Sequence, residues 1–266
     1  MINLAIEAAR EAGRFLKHSV GRVKSIEVKK GEDRNLVSDI DKESERRIIE
    51  IIRRRYPTHA ILAEESGAST SGADTTWIID PLDGTTNFLH GVPIFSVTIG
   101  IERRGELVAG VVYDPNLDEM FTAEKGAGAF LNGRRMHVSA THELIDSLLV
   151  TGFPYDIAAN PNNTIGHFVD FLLEGQGLRR LGSAALDLSY VAAGRMDGFW
   201  EVYLNPWDMA AGVLCVQEAG GTISDFRGKP TTIYTREVLA SNGLIHEKMV
   251  SVLAKSLRPS EGGNTR

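Results

Sequence analysis

The chain has 266 residues, 42% hydrophobic and 24% charged, which suits one large globular domain or two closely packed halves. Its 35 acidic and 29 basic residues give a net charge of −6, and no basic cluster dominates, so direct nucleic-acid binding is not expected. A single cysteine excludes an intramolecular disulfide, no apolar stretch reaches the ~18 residues of a membrane span, and residues 1–20 lack the apolar core of a secretion signal, so the chain reads as cytoplasmic.

Residues 3 to about 20 carry Leu4, Ala8, Ala12, Phe15 and Leu16 on one face, the pattern of an amphipathic helix. Val23 to Lys30 alternates as a strand, and Lys30 to Asn35 is a polar loop. Leu36 to Asp41 leads into a second helix ending before Pro57, with Ser38 or Asp39 as its cap. Arg53-Arg54-Arg55 on that helix, beside Glu45 and Glu50, reads as a solvated face. His59 to Ala63 is a short apolar strand ending in Glu64-Glu65, and Ser66 to Asp74 is a loop of small residues. Strands follow at 96–103, 107–113 and 119–124, with Arg104-Gly105 and Asn132-Gly133 as turns. Residues 152–164 form a polar loop around Pro154 and Pro161. Helices are expected at 166–173, from Ala184 to about Ala193, at 207–219 ahead of Gly220-Gly221, and at 244–257, with strands at 147–151, 198–202, 222–224 and 238–240. Cys215 lies in the apolar run Val213–Val216 and reads as a small buried hydrophobe. The tail after residue 258 reads as disordered. Helices and strands alternate throughout, the mark of layered α/β or α+β packing.

The segment Trp77-Ile78-Ile79-Asp80-Pro81-Leu82-Asp83-Gly84-Thr85-Thr86-Asn87-Phe88 carries the most chemistry. A buried strand runs into two carboxylates, Pro81 stops its ladder, and Gly84 turns the chain into a helix begun by Thr85 and Thr86. Taken alone, D-P-x-D-G is a turn. Three other places share its grammar: Asp41 at a helix start, Glu64 and Glu65 at a strand end, and Asp208 at the start of the helix after Asn205-Pro206. Helix capping explains Asp41 and Asp208 but not Glu64 and Asp80 at strand ends. Converging acids repel unless cations sit among them, and two or three Mg²⁺ ions are the usual solution. Two such ions clamp the attacking and leaving oxygens of a phosphoryl displacement. Thr85 would then orient the water, with Asp41 as its hydrogen-bonding partner. The central motif holds no Cys or His for a covalent phosphoenzyme, and there is neither a Walker sequence nor a dinucleotide fingerprint.

These motifs, with W-D-M-A-A-G at 207–212, E-A-G-G at 218–221, A-E-E-S at 63–66 and V-S-D-I-D at 37–41, resemble the inositol monophosphatases, a Mg²⁺-dependent, lithium-sensitive phosphatase family, from about residue 3 to 255. The resemblance implies an α+β fold, a layered α-β-α-β-α sandwich. It implies a single catalytic domain at 1–258, of two intimate halves (about 1–140 and 141–258), and a homodimer. It implies that Glu64, Asp80 and the Leu82 carbonyl hold one Mg²⁺, that Asp80, Asp83 and Asp208 hold a second, and that Glu64 with waters holds a weaker third. Glu65 would support these ligands. The backbone N–H groups of Gly84 and Thr85 would take the phosphate, Thr85 and Asp41 would activate water, and Asp83, Ala184 and Glu201 would contact the alcohol. The Lys30–Asn35 loop matches a mobile loop beside the site.

The leading expectation is therefore hydrolysis of a polyol phosphate monoester, first of all myo-inositol 1-phosphate. Glu201 favours it, because a carboxylate there accepts from ring hydroxyls, unless it is a solvent-exposed strand-end acid. Fructose 1,6-bisphosphate or histidinol phosphate is the enzymatic alternative, with Arg179 and Arg180 meeting a second phosphate. A regulatory, protein-binding role in a transcription complex is the alternative of another class, since some bacterial relatives act that way. The 152–164 loop and Asn205-Pro206 resemble bacterial members.

Overall fold

The computed structural model describes residues 1–29, 36–69 and 72–256. Its helices are α1 (Ile2–Ser19), α2 (Asp39–Arg55), α3 (Thr85–Leu89), α4 (Thr164–Glu174), α5 (Ala184–Ala192), α6 (Pro206–Glu218) and α7 (His246–Ser256). Its strands are β1 (Ile26–Val28), β2 (Leu36–Ser38), β3 (Ala60–Ala63), β4 (Gly67–Ser69), β5 (Thr75–Asp83), β6 (Ser96–Arg103), β7 (Glu106–Asp114), β8 (Glu119–Glu124), β9 (Gly128–Leu131), β10 (Arg134–Arg135), β11 (Leu148–Thr151), β12 (Gly177–Arg179), β13 (Gly198–Val202), β14 (Thr222–Ser224) and β15 (Glu237–Ser241).

Two sheets organise the chain. The larger has eight strands in the order β10-β9-β8-β7-β6-β5-β3-β4, antiparallel except where β3 runs parallel to β5. The smaller has five, in the order β12-β11-β13-β15-β14. Side chains alternate across the large sheet, as a pleat requires. Ile79 and Val111 face outward onto Ala8, Ala12, Leu16, Ile48 and Ile52 of α1 and α2. Ile78 and Val112 face inward onto α5 and α6, which fill the space before Phe199 and Ala240 of the small sheet. On the far side of that sheet, α4 and α7 cover Trp200 and Leu239 with Phe171 and Met249. The layers run α-β-α-β-α.

The central helix α6 lies against the large sheet through small residues. A Cβ at Gly110 would stand 2.8 Å from Ala211 Cα, and one at Gly100 would stand 2.5 Å from Ala210 Cβ. Gly110→Val therefore forces α6 off the sheet. We expect it to lower unfolding free energy by about 3 kcal/mol, read by urea titration; unchanged stability would show that this contact yields freely.

Several elements differ from their sequence expectations. Pro81 does not end its strand. β5 runs on to Asp83, with a register shift against β6 between Asp80 and Asp83, because an irregularity absorbs the missing N–H. The alternation at 23–30 yields only the three-residue β1, paired with β2. Gly67–Ser69, expected as loop, pairs antiparallel with β3. The Lys30–Asn35 loop and the tail at 259–266 lie outside the described residues. Among the described residues no helix is long and apolar enough to cross a membrane.

Candidate active site

The site forms where β5 ends. Ser38 caps α2, and Asp41 in the first turn returns the bond, its Oδ2 accepting from Ser38 N–H at 2.9 Å and Ser38 Oγ at 2.5 Å. Asp41 Oδ1 accepts from Thr85 Oγ1 at 3.0 Å, and the Leu82 carbonyl lies 3.0 Å from the same hydroxyl. Asp41 is 1% exposed, and burial raises its pKa against the bonds from Ser38.

The β5 irregularity turns both of its acids inward. Asp80 is 2% exposed, and its Oδ1 accepts the Leu82 N–H at 2.9 Å. Asp83 Oδ2 accepts from Ser183 Oγ at 2.5 Å and from Ala185 N–H at 2.9 Å, at the start of α5. Gly84 then turns with φ +94°, and a Cβ there would stand 2.9 Å from the Ile94 carbonyl, so only glycine fits. Asp208 enters from α6, where its Oδ2 accepts the Asn205 N–H at 2.7 Å. Asp80, Asp83 and Asp208 are each gripped through one oxygen by an N–H or O–H donor.

Glu64 follows β3, and its Oε1 meets the Lys29 ammonium at 2.6 Å; Glu65 Oε1 meets the same ammonium at 2.8 Å. Glu45 carries the backbone of this corner, its carboxylate accepting the Glu65 and Ser66 N–H groups at 2.8 and 2.9 Å.

The acids share one field. Burial, followed by Glu64, Asp83 and Asp208, holds Asp80 well above the usual carboxylate range. Burial and Glu64 lift Asp208 likewise. Burial pushes Asp83 up to about 6 against its bonds to Ser183 and Ala185. Burial raises Glu65 to about 7, with Lys29 opposing. Among the described residues no three acids, histidines or cysteines close into a ready-made metal cage. The donors nonetheless fit a hard cation: the groups are carboxylates and one carbonyl, and a single ammonium, that of Lys29 on Glu64 and Glu65, offsets only part of their charge.

A profile of the inositol monophosphatase family matches residues 1–258. The chain belongs to the inositol monophosphatase family. It is 45% identical to the Nus factor SuhB of Pseudomonas aeruginosa, with 98% of each chain covered. It is 43% identical to the inositol-1-monophosphatase of Mesorhizobium japonicum, with 97% of each covered. Among solved structures, the extragenic suppressor protein SuhB of Bartonella henselae superposes with a TM-score of 0.90 at 42% identity, covering 95% of this chain and 98% of that one. The inositol monophosphatase of Anabaena gives 0.86 at 44% identity, covering 96% and 95%. The family makes the chain a phosphatase.

In this phosphatase Glu201 is not a solvent-exposed strand-end acid. It is 9% exposed, within β13. Gly152 leaves it room, since a Cβ there would collide with its carboxylate. Burial pushes Glu201 up to about 8, with the Arg180 guanidinium opposing. Between its ordinary value near 4.5 and about 8, the folded state keeps a proton that the unfolded chain has lost. The stability from this group is complete below the lower value and is lost as pH rises through the upper one. Metal-free protein is expected to melt at a lower temperature at pH 8 than at pH 5, and Glu201→Gln to flatten that difference. Parallel melts of the two proteins decide; an unchanged slope in the variant removes Glu201 as its source.

Three neighbours of the site went unassigned in the sequence. Ser183 had a signal, since Gly182-Ser183-Ala184-Ala185 is a cap pattern. Asp187 had one too, as the lone acid in an apolar helix. It is 1% exposed, its Oδ1 has no hydrogen-bond partner, and burial, Glu201 and Asp83 keep its pKa well above the usual range. Lys29 had none, since nothing in Val28-Lys29-Lys30 separates a site lysine from a solvated one.

Proposed function

We propose that this phosphatase hydrolyses a phosphate monoester of a polyol, with myo-inositol 1-phosphate as first choice, using Mg²⁺. The observation that carries the reading is the Thr85 Oγ1–Asp41 Oδ1 bond of 3.0 Å beside the buried carboxylates of Asp80 and Asp83 and the half-buried Asp208. Members of this family are generally metal-dependent. Glu64, Asp80 and the Leu82 carbonyl would hold one ion, Asp80, Asp83 and Asp208 a second, and Glu64 with waters a weaker third. When bound, Mg²⁺ offsets the site's negative charge, acidifies a water and stabilises the leaving oxygen.

The chain's own groups do the rest. Asp41, fixed by Ser38, accepts a proton through Thr85 Oγ1 from the attacking water. The Gly84 and Thr85 amides, at a helix start without internal acceptors, bind the phosphate oxygens. Asp83, Ala184 and Glu201 line the alcohol side, and Glu65 supports Glu64. One catalytic domain of two halves, about 1–140 and 141–258, carries these groups, and a cytoplasmic homodimer is the assembly we propose.

The test is a phosphate-release screen over sugar and polyol phosphates, with and without Mg²⁺ and Li⁺. We expect release from inositol 1-phosphate to need Mg²⁺ and to be inhibited by Li⁺. Much faster turnover of fructose 1,6-bisphosphate or histidinol phosphate would replace the first choice; exposed Arg180 beside Glu201 is the feature favouring a second anionic group. A regulatory role in a transcription complex is a second reading, supported by relatives named Nus factor SuhB. It predicts a protein partner whose binding survives loss of the catalytic acids.

A further inference from the structure

Lys29 is the only positively charged side chain among the described residues that hydrogen-bonds to any acid of the site. Its placement is specific. β1 ends at Val28, and β2, paired to it, leads directly to Ser38 and Asp41. The start of this hairpin is tied down by Asp39, whose Oδ1 accepts the Lys24 and Ser25 N–H groups at 3.2 Å each. From that fixed arm the Lys29 side chain crosses to the end of β3 and is only 22% exposed. Its ammonium spans two carboxylates at 2.6 and 2.8 Å. Burial disfavours the charge, but Glu64 and Glu65 outweigh it and raise the lysine's pKa.

We infer that Lys29 is a positioning residue of the cation site, whose ammonium and a divalent ion compete for the Glu64 carboxylate. This rests on the proposed role of Glu64 as a cation-binding acid. An ammonium and a divalent ion cannot share one carboxylate oxygen without strong repulsion. The lysine holds Glu64 and Glu65 together against their own repulsion, and a metal entering at Glu64 has to displace it from that carboxylate towards solvent. Lys29 thereby sets how much divalent metal is needed to load this position, and it favours ions of high charge density over weak competitors.

The experiment is Mg²⁺ and Mn²⁺ calorimetry on full-length wild type, Lys29→Met and Lys29→Arg. Removing the competitor should tighten divalent binding by about tenfold, while Lys29→Arg, which keeps the charge, should stay within about threefold of wild type. Metal-free Lys29→Met should also melt below wild type, with the larger upward shift on adding Mg²⁺. A second measurement needs no variant: the acetylation rate of the Lys29 amine in wild type, followed by mass spectrometry, should rise severalfold on adding Mg²⁺. Equal or weaker metal binding by Lys29→Met overturns the inference, as does a Lys29 amine whose reactivity is unchanged or lowered by Mg²⁺. Wild type that takes up no divalent ion overturns the metal reading and this inference together, whereas normal uptake with unchanged Lys29→Met affinity overturns this inference alone.

Discussion

Asp83→Asn is expected to abolish phosphate release and leave the fold standing. The substitution is nearly isosteric, and the amide oxygen still accepts from Ser183 Oγ and Ala185 N–H, the two donors that join β5 to α5. What disappears is the negative charge in a pocket where burial already presses against it. An amide is a far weaker ligand for a hard cation than a carboxylate. Turnover should fall on the order of 10³-fold or more, while the melting temperature changes by only a few degrees. Phosphate release and thermal melts on the same preparation read both. Near-wild-type turnover with Mg²⁺ would take Asp83 out of the chemistry, and a collapsed fold would make it a structural residue. Ser183→Ala is the graded companion. It loosens the carboxylate without removing it and should cost roughly 10–100-fold, the usual loss for an outer-shell partner.

Asp41→Asn is the second large effect, and it acts on the proton rather than on charge balance. The amide oxygen of the variant still accepts from Ser38 at the start of α2, so the helix survives. The amide can no longer accept a proton passed through Thr85 Oγ1. We expect kcat to drop by about 10²–10⁴-fold, the range for loss of a positioned general base, with KM nearly unchanged. Thr85→Val should do much the same by breaking the 3.0 Å link. Because the two residues act as one unit, the double variant should lose little more than either single one. Fully additive losses would show that they serve separate steps.

Much of the fold was legible because its signals are local. The α1 stripe, the Ser38 cap, the apolar run before Asp80 and the strand pattern at 107–113 name their elements directly. The β1 strand was overextended, because polar alternation at 23–30 resembles a strand whether or not a partner pairs with it. Pro81 misled for a related reason: losing a donor ends a regular ladder, but an irregular one absorbs it. In the site, the acids were readable from their positions at element ends and from family resemblance. Their setting was not. The bonds from Ser183 and Ala185 to Asp83 link residues about 100 positions apart, and the Lys29 contact spans 35 and 36. Glu201 looked exposable because nothing in Trp200-Glu201-Val202 says which side of β13 is covered.

The position of α6 between the two sheets has a consequence during synthesis. A ribosome that has released the large sheet, through Arg135, has already produced Asp41, Glu64, Asp80, Asp83 and Thr85. That unfinished chain still lacks Ser183 to brace Asp83, the Asp208 carboxylate, and the helix whose Ala210 and Ala211 sit on Gly100 and Gly110. The acids of the site come together only once the last third of the message has been translated.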